Sequence, residues 1–297
     1  LPLRPMPAQS ASAPSDKIER LTHGERWFLD GFSVMQLPGG WVTRLCDMSQ
    51  SQRVVTLLRQ AGIAATYTHV VVRAVALALS RCPESHQMVC GYRRMRPSRV
   101  DIGLSVAGQT SYAPVLVIED AASRPLADLV QFLKEEVPKT HEKELRDLEG
   151  MKRNGWLVPI GWLRRMILRL LGNMFWFRRK LVGTFQMTCL RHVDSTNPLM
   201  FYSGAALGVG EVRDRVVAIA GRPEVRPTVI LSMPFDHRTL DGKQIADLLA
   251  TLCSILESDE LLNEVSHIPH IEAANPVLSP PVAMAEPLST ASVSAVG

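Results

Sequence analysis

Cysteine is scarce in this chain of 297 residues, and the way it is used limits the possible function classes. The 5 cysteines are an odd number, and no Cys-x-x-Cys pair occurs. This pattern argues against a disulfide framework and against a zinc site, and it is typical of free thiols in a reducing compartment. We therefore expect a cytoplasmic protein that binds no metal.

Charge, hydrophobicity and the N-terminus limit the possible classes of protein further. The N-terminus lacks the basic-then-apolar pattern of a signal peptide, and no uninterrupted apolar run is long enough to span a bilayer. The net charge of +4 is not concentrated in a basic block with interleaved aromatic residues, so we expect no nucleic-acid partner. The hydrophobic content of 46% is enough for the core of one large domain.

Composition divides the chain into a central domain and two flanks. Residues 1–16 are rich in Pro, Ala and Ser and predict a flexible arm, and residues 271–297 predict a similar disordered tail. No linker or internal repeat interrupts residues 17–270, which we interpret as a single domain.

The apolar patterns within this domain predict a mixed order of helices and strands. Helices are predicted over residues 49–61, 67–81, 125–137 and 243–257, with Pro138 ending the third. Strands are predicted over residues 40–47, 99–106, 113–119, 185–191, 205–213, 215–221 and 228–235. Strand clusters with layered helices predict an α/β sandwich.

The most informative segment is residues 231–242. An apolar strand delivers His237, and an Asp-Gly pair follows four residues later, at the start of a predicted helix. A histidine held where a strand gives way to a helix is well placed to act as a general base, because imidazole titrates near neutral pH. His-x-x-x-Asp-Gly alone is a weak signal in a chain with 8 histidines, since a lone histidine is more often structural.

The residues around this motif make it more specific. Asp-His-Arg-x-x-Asp-Gly resembles the active-site signature of the catalytic domain of the 2-oxoacid dehydrogenase acyltransferases, a family related in fold to chloramphenicol acetyltransferase. Further segments resemble the family in the same order, at residues 67–81, 100–106, 113–117, 183–188 (Gly-Thr-Phe-Gln-Met-Thr) and 206–210. The resemblance spans about residues 40–257 and implies an α/β fold, a chloramphenicol-acetyltransferase-like two-layer sandwich of a mixed sheet with helices.

The resemblance also implies roles for individual residues in acyl transfer from acyl-CoA, which would be a co-substrate. His237 takes the position of the general base, and Thr188 takes the position of a serine hydroxyl that stabilises the oxyanion. Asp241 is implied to orient the site through an Arg or the backbone. A helix N-cap is the structural alternative for Asp241, and the two roles are compatible.

Neighbouring residues are implied to support or line the site. Asp236 and Arg238 flank the histidine as supports, and Gly242 is expected to let the chain turn into the helix without a Cβ clash. Gln186 and Cys189 replace usual family residues and are expected to line the acceptor side. Cys189 as a nucleophile is an alternative that no local signature favours.

A CoA-dependent O-acetyltransferase acting on a small-molecule or natural-product intermediate is the function we expect first, with an acceptor that is small or carrier-bound. The sequence shows no lipoyl module, so we expect no lipoyl group on this chain and a free-standing member of the family. The alternatives are the dihydrolipoamide acyltransferase core of a 2-oxoacid dehydrogenase complex and a non-catalytic scaffold. The resemblance implies a homotrimer with active sites between subunits.

Two basic segments depart from the family or lack a role in it. Residues 156–180 hold three of the 5 tryptophans and six Arg or Lys residues. They are interpreted as an amphipathic pair that contacts a membrane or a carrier protein, as a lid over the acceptor, or as packing between subunits. Arg93, Arg94, Arg96 and Arg99 form a cluster that either meets CoA phosphates or, as we expect, lies in a solvated loop.

Overall fold

A computed structural model describes residues 16–20, 39–107, 114–154, 161–200 and 203–267. The predicted arm, except for Asp16, and the predicted tail lie outside these residues. The strands are β1 (Lys17–Arg20), β2 (Gly39–Asp47), β3 (Met88–Cys90), β4 (Arg93–Arg96), β5 (Ile102–Ser105), β6 (Val115–Ile118), β7 (Phe185–Cys189), β8 (Ala206–Val209), β9 (Arg213–Ile219) and β10 (Arg222–Asp236). The helices are α1 (Ser49–Gln60), α2 (Tyr67–Arg81), α3 (Leu126–Asn154), α4 (Gly161–Gly172), α5 (Phe175–Val182), α6 (Gly242–Glu257) and α7 (Glu260–Ser266).

The main sheet has seven strands in the order β2-β10-β8-β7-β5-β6, with β9 paired to β10. Strands β5, β7 and β8 run parallel to one another, whereas the other pairs are antiparallel. A small sheet, β1-β4-β3, is separate. The predicted mixed sheet with helices is thereby confirmed.

One face of the main sheet is apolar and packs against α1, α2, α3, α6 and α7. Alternate residues of each strand, such as Phe185 and Met187 of β7, join the core with Val75 of α2 and Leu248 of α6. The segment between β7 and β8 lies against the opposite face, where the Ser232 hydroxyl hydrogen-bonds to the Asn197 side chain. The domain is therefore a sheet with a helix layer on one face, while the end of α5 lies against Gly103 on the other face. No helix within the described residues is long and apolar enough to cross a membrane.

The prediction that Pro138 ends a helix is wrong, because α3 continues through it to Asn154. Proline removes one backbone donor, but the residues that follow are mostly strong helix formers. Side chains also bridge the position, since Lys139 Nζ lies 2.7 Å from the Glu136 carboxylate and Thr140 Oγ1 donates to Glu136 O. The helix-forming residues on the C-terminal side of Pro138 therefore keep the helix continuous despite the lost hydrogen bond.

The arginine cluster is not the solvated loop that the sequence predicts. Residues Arg93–Arg96 form β4, which pairs with β1 and β3. Arg99 is held by two carboxylates, Asp101 at 3.1 Å and Glu119 at 2.9 Å. Its guanidinium is therefore already neutralised within the fold.

Candidate active site

Strand β10 ends in a tight turn that presents His237 to the surface. The backbone N–H groups of Thr239 and Leu240 both donate to Asp236 O, at 2.8 and 2.9 Å. The Asp236 carboxylate accepts from Arg238 N at 2.9 Å and pairs with the Arg238 guanidinium at 2.7 Å. Asp236 and Arg238, on either side of His237, thus clamp one another, and the imidazole projects from the turn between them.

The His237 ring packs on one aromatic neighbour. Its centroid lies 4.6 Å from that of Phe235, edge to face. Gly40 of β2 lies beside both rings: a Cβ there would be 2.8 Å from Phe235 Cζ and 3.6 Å from His237 Nε2. Sequence reasoning missed this glycine, although the Gly39-Gly40 pair at the start of a predicted strand was a visible signal.

Asp241 is the N-cap of α6. Its Oδ1 accepts from Gln244 N at 2.8 Å, and Gln244 Oε1 accepts from Asp241 N at 3.1 Å, which completes a capping box. The sequence predicted that this carboxylate binds either an Arg or the backbone, and in the structure it binds the backbone. The reason predicted for Gly242 is wrong, since a Cβ there would meet nothing within 4 Å in this chain.

Strand β3 and the residues before it brace the same turn from outside the motif. Gln87 is buried, and its Nε2 donates to Thr239 O at 2.9 Å. Ser85 Oγ donates to Gln244 O at 3.0 Å. These contacts cross more than 150 residues of sequence, so no local pattern indicates them.

Thr188 lies near the end of β7, on the sheet face opposite α1, α2, α3 and α6. Because Phe185 and Met187 enter the core, alternation directs Gln186 and Thr188 the other way. Across the sheet Thr188 is paired with Ser105 on β5 and Gly208 on β8. The buried Gln186 amide accepts from Ser203 Oγ at 2.8 Å. Gln186 and Thr188 thus share one face of β7, and their role in lining the acceptor side stays a prediction.

Cys189 departs from the prediction that it lines this side. It faces the helix layer and borders a pocket of about 920 Å³ between α2, α3 and the ends of β5, β7 and β8. Burial raises the pKa of its thiol to about 11, and a hydrogen bond with Thr68 offsets only part of the effect. A thiol with that pKa is protonated at neutral pH, so Cys189 is a poor nucleophile.

Two buried cysteines and a glutamate form the candidate metal cluster among the described residues. Ligand atoms of Cys46, Cys253 and Glu257 lie within 4.8 Å of one another. A hydrogen bond with Cys253 and burial raise the pKa of the Cys46 thiol above its usual range. Metals bind thiolates, so a thiol held protonated in an apolar core makes a weak ligand.

Within one chain, His237 and Thr188 are far apart. Thr188 is level with Gly208, which is level with Ser232 on β10, two strands away. His237 follows Ser232 by five residues, or about 16 Å along the strand, and the two strand spacings add about 10 Å sideways. Two groups that act on one reacting atom must each lie about 3 Å from it. A site that uses both residues therefore needs two copies of the chain.

Comparison with known proteins agrees with these motifs. Residues 191–263 match the family model "2-oxoacid dehydrogenases acyltransferase (catalytic domain)". The dihydrolipoyllysine-residue succinyltransferase component of the 2-oxoglutarate dehydrogenase complex of Rickettsia bellii is 26% identical over 210 residues, covering 69% of this chain and 44% of the relative. Its Escherichia coli counterpart is 25% identical over 199 residues, covering 67% and 42%. The chain thus spans less than half the length of these relatives.

Solved structures agree in fold. A dihydrolipoamide acetyltransferase from Azotobacter vinelandii has a TM-score of 0.59 at 18% identity, covering 88% of this chain and all of that one. A probable dihydrolipoamide acetyltransferase from Listeria monocytogenes has a TM-score of 0.54 at 20% identity, covering 80% and 92%. The resemblance predicted from the motifs is therefore confirmed: in sequence and in fold, this chain is similar to the catalytic domain of the 2-oxoacid dehydrogenase acyltransferases, a family of acyltransferase enzymes.

Proposed function

We propose that this chain is a CoA-dependent acyltransferase in which His237 is the general base. The observation that carries the proposal is the clamped turn at the end of β10, which exposes the imidazole between the paired Asp236 and Arg238. Such a turn fixes the base before substrate arrives, so little reorganisation is needed at reaction.

The reaction requires two groups from this protein. His237 takes the proton from the acceptor's thiol or hydroxyl, and the resulting anion attacks the thioester carbonyl of acyl-CoA. The Thr188 hydroxyl donates a hydrogen bond to the oxyanion of the tetrahedral intermediate. As the intermediate collapses, the carbon–sulfur bond to CoA breaks, and the protonated imidazole returns its proton to the CoA thiolate. No covalent acyl-enzyme is formed.

The acceptor that the comparisons favour is a dihydrolipoyl thiol. The sequence-based prediction of a natural-product hydroxyl came from the changes around Thr188 and from the lack of a lipoyl module. The relatives named above are dihydrolipoyllysine-residue succinyltransferases, and the two solved structures named above are dihydrolipoamide acetyltransferases. Cys189 also faces away from the acceptor side, so this departure from the family no longer argues for a different acceptor. We therefore place the dihydrolipoamide alternative ahead of O-acetylation.

The catalytic set also resembles one that was studied directly. In the Azotobacter vinelandii enzyme, the roles of a serine, a histidine and an asparagine four residues after it were investigated in the catalytic mechanism. Here a hydroxyl residue, Thr188, and His237 are again present, and the residue four positions after the histidine is Asp241 in place of the asparagine. Retention of the histidine and of a hydroxyl residue argues against the non-catalytic scaffold. The separation of Thr188 from His237 supports a homotrimer, or another ring, with its sites between copies.

A transfer assay tests the proposal. Purified protein would be incubated with acetyl-CoA or succinyl-CoA and with dihydrolipoamide or a panel of hydroxyl acceptors, and the acylated product would be followed by mass. We expect dihydrolipoamide-dependent transfer that falls at least a hundredfold in His237→Ala. Faster transfer to a hydroxyl would return the acceptor to the natural-product class.

His192→Ala is the matched control, because His192 is a surface imidazole whose side chain is 87% exposed. Its activity should equal that of the unaltered protein. Undiminished transfer by a folded His237→Ala protein would contradict the mechanism. No transfer with any donor or acceptor, together with no CoA binding, would favour the scaffold.

A further inference from the structure

Helices α4 and α5 form an exposed apolar surface that the proposed reaction does not use. Among the described side chains of this pair and its connection, six large apolar ones are exposed: Met166, Ile167, Leu170, Met174, Trp176 and Leu181. Positions 166, 167 and 170 share one face of α4, and Leu170 and Trp176 are 56% and 60% exposed. Single exposed apolar residues are ordinary, whereas a cluster of this kind marks an interaction surface.

The charge of this region has one sign. No Asp or Glu occurs between Glu149 and Asp194, while the same stretch contains nine Lys or Arg residues. An apolar surface within a carboxylate-free, basic segment is complementary to an anionic partner.

Two of these cations hold the helices on the fold. The Arg178 guanidinium donates to Gly172 O and, at 2.7 Å, to Val89 O of β3. Arg179 pairs with Asp101 at 2.5 Å and with Asp16. The helix pair is thereby fixed to the sheet with a defined side outward.

Other cations of the pair face solvent. Arg169 and Lys180 are exposed, and neither forms an ion pair with a described residue. The carboxylates in the groove beside Trp176 do not offset them: Arg179 pairs with Asp16 and Asp101, and Arg99 pairs with Glu119. The outward side of the pair therefore combines apolar side chains with unpaired positive charge.

We propose that the α4–α5 surface binds an anionic phospholipid bilayer, with the helices lying in the interface. Trp, Leu and Met side chains enter the boundary between headgroups and acyl chains, and Arg169 and Lys180 meet lipid phosphates. A bilayer fits better than a second copy of this chain, because close contact between two such surfaces would bring cations together without carboxylates. The subunit packing considered from the sequence becomes an outcome of the test.

The contacts of α5 indicate which end of the domain would face the bilayer. Arg178 reaches Val89 of β3, and Gln87, beside that strand, holds the turn that follows His237. Lipid binding at α4–α5 would thus bring the His237 end of the sheet towards the membrane.

Vesicle co-sedimentation of the full chain tests this proposal. We expect pelleting with vesicles of phosphatidylcholine mixed with phosphatidylglycerol, much less with phosphatidylcholine alone, and weakening as salt screens the charges. Leu170→Asp combined with Trp176→Asp should weaken partition at least about tenfold, as should Arg169→Glu combined with Lys180→Glu. The matched control is Val216→Asp with Val225→Asp, paired residues of the β9–β10 hairpin that are 70% and 67% exposed; it should pellet normally.

Circular dichroism and sedimentation velocity would accompany each variant. Lack of pelleting with anionic vesicles would overturn the proposal, as would equal pelleting by a folded Leu170→Asp/Trp176→Asp protein. A smaller assembly in that variant, with unchanged pelleting, would instead assign the surface to packing between subunits. Because the readout is vesicle binding and not acyl transfer, this test is independent of the proposed activity.

Discussion

Gly40 connects a backbone position to the reactivity of His237. A methyl group in Gly40→Ala would sit 2.8 Å from Phe235 Cζ, so the Phe235 ring must move, and His237 packs on that ring. We expect kcat to fall roughly tenfold with KM little changed, because the base is displaced without loss of a binding contact. Steady-state kinetics of the acyl-transfer reaction would measure this.

A double-mutant cycle separates this effect from general damage. Phe235→Leu shortens the side chain that the new methyl group would strike. In a Phe235→Leu background, Gly40→Ala should therefore lower kcat much less than it does alone. Additive losses would mean that Gly40 acts by a route other than Phe235.

His86 predicts how stability changes with pH. Its buried Nε2 hydrogen-bonds to Thr184 Oγ1 at 2.8 Å, and burial lowers its pKa to about 4, although Asp101 nearby raises it. The unfolded chain binds a proton near pH 6.5, whereas the folded protein does so only near pH 4. His86 should therefore lower the free energy of unfolding by about 1.4 kcal/mol per pH unit between these values as the pH falls.

Urea unfolding at several pH values and one protein concentration would test this. In His86→Gln, which keeps a hydrogen-bonding group, the loss of stability on acidification should be smaller by that amount. The exposed His192→Gln serves as the control and should follow the unaltered protein. Identical slopes in all three proteins would exclude His86 as the source.

At the level of elements, the N-cap of α6 is a separable part of the site. Asp241→Ala removes the bond to Gln244 N and should lower the free energy of unfolding by about 1 kcal/mol, whereas Asp241→Asn, which can still cap, should lose little. Asp259 is the matched control, since it stands at the N-cap of α7 without a side-chain capping bond.

Denaturant unfolding of the three variants would rank them. If Asp259→Ala cost as much as Asp241→Ala, the loss would not come from the capping bond. Low activity in Asp241→Asn, at unchanged stability, would show that the carboxylate has a second role beside capping.

The elements that the sequence predicted well are those with strong local patterns. Helix α2 was predicted at its observed bounds, and α6 to within one residue, because apolar periodicity and a clear start mark both. Strand β10 was underestimated, since Arg222–Pro227 is polar and is held by pairing with β9, which is not a local property. Strand β4 was missed for the same reason, as its arginines resemble a loop until β1 and β3 flank it.

The candidate site likewise contains residues that the local sequence predicts and residues that only the folded structure reveals. Motif residues were predictable because their types and spacing lie in one stretch, as with His237 and Asp241. The parts that brace them, Gly40 and Gln87, come from distant sequence and are defined only by packing. Cys189 was assigned to the wrong side because a one-residue step along a strand reverses the face.

At the scale of the whole molecule, the distance between Thr188 and His237 makes a prediction about assembly. If each site takes its histidine from one copy and its threonine from the next, a His237→Ala chain and a Thr188→Val chain can complement each other. In assemblies formed by co-expressing the two in equal amounts, about a quarter of the interfaces would combine an intact His237 with an intact Thr188. Activity should therefore return to about a quarter of the unaltered level, although each parent is nearly inactive.

Co-expressing His237→Ala with the His237→Ala/Thr188→Val double variant should restore nothing, because no copy supplies the base. If the first mixture stays at the level of its parents while sedimentation shows mixed assemblies, the two residues do not share a site, and Thr188 loses its role as the oxyanion donor.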